Sequence, residues 1–432
     1  MTRHAYASLC SRFQSDGKLL GPCLDYTIKQ SKCYDLPDSV TEEVVECLIA
    51  RTRLGPSYFS QEALWEAKAF LSDRSPEYLG AAIAHRQSIL ARLQAKYDDA
   101  DALTKQYLCH LGSSCQTDRR LHAWHLHLFV SHLKILNLQE KFEAAREELE
   151  SWNRLPKISL MESQSIPIFA QTASEVWRSL GKLDHAKDYL ADCYSFFVAN
   201  GANPFLKAND SHRYQIICAL IDVHCALGEM EDADFLVRKE IENFPINGRL
   251  SKAFRRLQVS SLEIDIARAL PSSLTQARSK ILLLKHVFRE IQEPDISDQL
   301  LQVRTHVASA RVLHLQSYFP QAIQEWESVN ALAAKYSAFQ CQGFTFAFSQ
   351  LSIGLAHVEI TRQTNDSHTI EEHRQAFAET LRQANSIFQH EEDNYWIPTI
   401  TTSWLPKVRS EIKSLTDCTV VKKASEGTRA LN

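Results

Sequence analysis

The sequence predicts an all-α protein, an α-α superhelix (solenoid) of stacked antiparallel helical hairpins, on three observations. Only 12 Gly and 13 Pro occur in 432 residues, too few for the tight turns that a strand-rich fold needs. Apolar residues recur at three- and four-residue steps over long windows, as in YQIICALIDVHCALGEMEDADFLVRKEIENF at 214–244, which is the period of an amphipathic helix. Third, one small pattern returns along the middle of the chain. In ALGEMEDADFLVRKEIENFP (226–245), Gly228, Met230 and Ala233 have the spacing of Gly181, Leu183 and Ala186 in SLGKLDHAKDYLADCY (179–194).

Weaker copies keep a large apolar residue three before an alanine: Tyr97 and Ala100, Phe142 and Ala145, Leu274 and Ala277, Phe319 and Ala322. In each copy an amphipathic helix precedes the pattern and another follows it. Gly228 or Gly181 ends the first helix, the large residue plugs the gap between the two, and the alanine lets the second helix approach closely. Asp184 and Glu231 fall near the start of second helices, where negative charge is favourable, and Pro245 stops the second helix of its unit.

Four regions follow from this pattern. Residues 1–75 form an N-terminal helical region continuous with the array, in which YFSQEALWEAKAFL (58–71) reads as a second helix with Ala63 or Ala67 at the contact. Residues 76–340 hold the repeats. Residues 341–415 form a helical cap that includes IEEHRQAFAETLRQANSIFQ (370–389), with TRQTNDSHT (361–369) as a loop, and residues 416–432 form a frayed tail.

The pattern resembles the tetratricopeptide repeat, which places a glycine and a large apolar residue ahead of a helix-packing alanine and closes the unit with a proline. The resemblance covers residues 80 to 335, and the units here are longer: their alanines lie 45, 41, 47, 44 and 45 residues apart, against about 34 in the standard repeat. It implies a superhelix whose concave groove is lined by the first helix of each hairpin and holds a partner protein or peptide. Aligning the units on their alanines places His85, Arg92, His127, Lys134, Asn137, Gln171, Glu175, Arg178, Asp222, Arg304, Arg311 and His314 on that face. Bases outnumber acids among them, so an acidic peptide or acidic protein surface is the expected ligand. The close Lys and Asn set of chaperone-binding tetratricopeptide domains is absent.

Composition narrows the function further. A net charge of −4, from 48 basic and 52 acidic residues spread along the chain, gives no footprint for nucleic acid. Eleven scattered cysteines without a C-x-x-C pair suit a reducing compartment, which puts the chain in the cytoplasm or the nucleus. The richest apolar stretches, LHLFVSHLKIL and KILLLKHVF, are broken by His and Lys and too short for membrane insertion. No phosphate-loop, dinucleotide, zinc-protease or serine-hydrolase motif occurs, so no cofactor and no catalytic residue is assigned. The histidine-rich run RLHAWHLHLFVSHLK, with His122, His125, His127 and His132, reads as core or groove residues rather than metal ligands. Asp98, Asp99, Asp101 and Glu231, Asp232, Asp234 read as helix starts rather than a magnesium site. The expected function is a non-catalytic interaction scaffold. Two alternatives stand beside it: a helical enzyme with a pocket assembled from distant helices, and a subunit of a large regulatory complex. The C-terminal region shows no strand pair for the assembly domain common in the latter.

Overall fold

A computed structural model describes residues 38–52, 57–111, 119–152, 166–199, 210–244, 251–292, 294, 296–336, 343–387 and 410–413, with positions 26 and 408. Among the described residues there is no β-strand. The described residues include these helices in order: α1 (Asp38–Arg51), α2 (Ser57–Ala69), α3 (Glu77–Leu93), α4 (Tyr97–Leu111), α5 (Arg119–Leu138), α6 (Phe142–Trp152), α7 (Ile166–Ser179), α8 (Leu183–Ala199), α9 (Asp210–Leu227), α10 (Met230–Glu242), α11 (Lys252–Arg268), α12 (Pro271–Arg289), α13 (Ile296–Leu315), α14 (Phe319–Lys335), α15 (Gly343–Gln363) and α16 (Ser367–Asn385). The chain divides into two compact units, one of Met1–Thr172 with Phe196–Asp210, the other of Ala173–Ser195 with Ser211–Asn432.

Within each unit the packing is that of stacked hairpins. Helix α5 packs on α3, α4 and α6 in the first unit; α13 packs on α11, α12 and α14 in the second. First helices therefore have neighbours on several sides and second helices mainly on one. Twelve residues of α13 are buried but only four of α14. The second helix accordingly carries one apolar stripe, and the first is buried on most of its faces, polar residues included.

All six repeat alanines, Ala100, Ala145, Ala186, Ala233, Ala277 and Ala322, are fully buried. At five units the large apolar residue is the first residue of the second helix: Tyr97, Phe142, Leu183, Met230 and Phe319 open α4, α6, α8, α10 and α14. The same backbone turn precedes each. A residue with positive φ stands two before the plug, at Ala95, Glu140, Gly181, Gly228 and Ser317. The N–H that follows it donates five residues back at 2.9 Å, from Lys96 to Ala91, Lys141 to Leu136, Lys182 to Trp177, Glu229 to His224 and Tyr318 to Leu313. This closes the helix end by capping its orphan carbonyls. The glycines of the sequence pattern are thus two of five equivalent left-handed positions. At the α11–α12 turn the left-handed residue is Ala269, with φ 51°, five before Leu274. That turn is three residues longer and uses Pro271 to open α12.

Unit length follows from helix length, since α5 has 20 residues and α12 has 19. In the C-terminal region, α15 runs to Gln363 and α16 starts at Ser367, so the connection is shorter than the loop expected over 361–369. Asp366 caps α16 by accepting from the Thr369 N–H at 3.0 Å, which sharpens the turn. Helix α16 covers 370–385 of the stretch expected over 370–389, and both Ala63 and Ala67 of α2 are buried. Helix α10 ends at Glu242, while Pro245 and the tail from 416 lie outside the described residues.

Candidate partner-binding face

None of the twelve side chains expected to line a groove is fully exposed: Arg178, Asp222, Arg304, Arg311 and His314 are buried and the other seven are half-buried. The two units use them differently.

In the second unit they form a ladder of charge across first helices. Arg304 of α13 makes two parallel hydrogen bonds to Asp222 of α9, each 2.7 Å, and its Nε lies 3.4 Å from Glu263 of α11. Arg311 donates to the other oxygen of Glu263 at 2.6 Å, and Arg178 lies 3.8 Å from Asp222. Burial pulls the Arg304 guanidinium down, but the carboxylates of Asp222 and Glu263 outweigh it and its pKa is raised. Arg178 is the weak rung. Burial lowers its pKa beyond what Asp222 restores, and Arg304 repels it. Burial likewise pushes the nearby Cys218 thiol up to about 12, so it stays protonated.

These arginines were expected to offer positive charge to an acidic ligand. The structure instead occupies Arg304 and Arg311 with the chain's own carboxylates, because two arginines and two acids can leave water only as mutual partners. Glu263 was missed in the sequence because alignment on the alanines breaks at the longer α11–α12 turn. Counted from the left-handed residue of each turn, the position six before it holds Ile89, Lys134, Glu175, Asp222, Glu263 and Arg311. One register thus supplies a residue of this face in every unit.

The first unit presents a basic and aromatic face. His85 of α3 packs on His127 of α5 with ring centroids 5.3 Å apart, and Trp124 of α5 lies 5.7 Å from His85 and 5.3 Å from His127. All three are half-buried, as are Arg92, Lys134 and Asn137 on the same two helices. Ser88 and Ser131, at 2.9 Å, join α3 to α5 beneath. Gln171 and Glu175 lie half-buried on α7. His314 packs edge-on against Phe319, centroids 5.1 Å apart, at the end of α13.

The histidine run fans out. His125 stacks on Trp152 at 5.0 Å, and burial holds its pKa down at about 4. His132 is buried 2.8 Å from Asp101, whose other oxygen takes Lys105 at 2.8 Å. Asp98 and Asp99 stand in the first turn of α4, and Glu231 and Asp232 in that of α10. Among the described residues, one group could present a metal with ligand atoms within 4.8 Å of one another: His224, Glu229 and Asp232. There Glu229 gives one oxygen to Lys187 at 2.7 Å and the other to His224 at 2.6 Å, so the chain already fills the place with its own cation. Among the described residues no helix is long and apolar enough to cross a membrane.

The fold and this face define a class, an all-α protein of stacked helical hairpins with polar side chains gathered on its first helices. Neither protein-family models nor curated proteins match the chain.

Proposed function

We propose that this chain is a non-catalytic interaction scaffold of tetratricopeptide-like hairpins, which binds an acidic segment of a partner protein on the first-helix face. The observation that carries the reading is the half-buried His85, Trp124 and His127 cluster, flanked by Arg92 and Lys134 on α3 and α5. Aromatic rings with basic neighbours supply both apolar contact area and charge, the combination enriched at interface hot spots. Rigid helices hold them, so little ordering is needed on binding. The second unit supports this reading in another way: its ladder ties α9, α11 and α13 into one register. A reducing compartment, cytoplasm or nucleus, agrees with free thiols at Cys47, Cys109, Cys193, Cys218 and Cys225.

Affinity capture from a cell extract tests it with the wild type and a His127→Ala, Lys134→Glu variant, both immobilised as full chains. His127 packs on His85 and Trp124, so the melting temperature of the variant is measured too and capture is run where both chains are folded. The proposal expects a specific set of proteins on the wild type that the variant loses. An identical set on both, with folding intact, would remove this face from the account.

A further inference from the structure

We infer that the second unit carries a binding site for a small amphipathic anion, a carboxylate with an apolar body, in a cleft between α12 and α14. This goes beyond a scaffold function and does not depend on it. The cleft has a volume of about 420 Å³ and is floored by Ser309 of α13. That size suits a small organic molecule.

Its charged groups and Ser309 come from three helices. The Lys285 ammonium donates to Glu325 at 2.5 Å and to Ser309 Oγ at 3.1 Å. Three N–H groups make an ammonium, so one remains for a ligand. Ser309 accepts from Lys285 and keeps its own hydroxyl proton to donate. Glu325 Oε1 also takes His306 Nδ1 at 2.5 Å. Burial alone would raise the Glu325 pKa, but His306 and Lys285 bring it below the usual carboxylate range, so it stays ionised and anchors Lys285. At the rim, exposed Arg278 lines the cleft and makes no ion pair among the described residues. Arg278 and Lys285 against Glu325 leave one net positive charge in the lining. An anionic oxygen group is what such a set binds.

The rest of the lining is mixed, with Gln321, Gln324 and Ser328 of α14 on one side and an apolar wall on the other. Leu282, Val312 and Leu313 form that wall, and Leu282 is 65% exposed although it is a large aliphatic residue. A bound hydrocarbon body would cover it.

Calorimetric titration of the full chain separates the components, with octanoate, octan-1-ol and inorganic phosphate as probes. Octanoate should bind to the wild type, about tenfold more weakly to Arg278→Gln and several-fold more weakly to Leu282→Ser. Both positions are exposed, so folding should be unaffected and melting temperatures unchanged. Octanol and phosphate should each bind at least tenfold more weakly than octanoate. No octanoate binding, or equal affinity in wild type and Arg278→Gln, would overturn the site. Octanol matching octanoate would remove the anion, and phosphate matching it would remove the apolar body.

Discussion

Ser317 holds a φ of 62°, a conformation that its Cβ disfavours by roughly 1 kcal/mol and that glycine adopts freely. The turn before α14 needs it nonetheless, because the following N–H must reach back to Leu313. Ser317→Gly is therefore expected to raise stability by about 0.5–1 kcal/mol, and Gly228→Ala to lower it by about 1 kcal/mol. An added Cβ at Gly228 meets nothing within 4 Å, so that loss is one of backbone conformation alone. Denaturant titration of both variants reads the pair, and equal midpoints would show that the turns bear no conformational strain. Gly181 and Gly228 showed the turn in the sequence; Ala95, Glu140 and Ser317 did not, because only the geometry of the hydrogen bond tells them from ordinary helix-end residues.

At the scale of elements, helices were legible because second helices carry an apolar stripe of the right period and an alanine at the point of closest approach. The ladder was only half legible. Arg304, Arg311, Asp222 and Arg178 stood out as charges on apolar helices, but a single sequence does not say that opposite charges on α9, α11 and α13 meet. Their meeting changes the expected effect of substitution from lost binding to lost stability. Arg304→Ala would leave Asp222 buried without its bidentate cation and Glu263 with Arg311 alone, at a cost of about 3–5 kcal/mol. Replacing Arg304 and Asp222 together with Met and Leu should cost less than Arg304→Ala alone, since two opposite buried charges go together, although Arg178 then loses Asp222. Chemical denaturation distinguishes these outcomes: a silent Arg304→Ala would mean that the ladder is hydrated and contributes little. Glycine has a separate task at Gly354 of α15, where a Cβ would lie 2.8 Å from Thr380 of α16, so close approach of those two helices depends on it.

For the whole molecule, the ladder ties helices together in the second unit, and the proposed partner contact falls to the first. The first-helix face was legible as a list of residues and not as two chemically distinct surfaces, since alignment alone does not show which charges are already partnered. The most direct measurement is hydrogen–deuterium exchange on the full chain with and without a partner recovered by capture. Exchange should slow in peptides covering His85–Arg92 and Trp124–Asn137, and stay unchanged across Asp222, Glu263 and Arg304, which the ladder already protects. Protection confined to second helices such as α12 and α14, with none on α3 and α5, would contradict the proposed binding face.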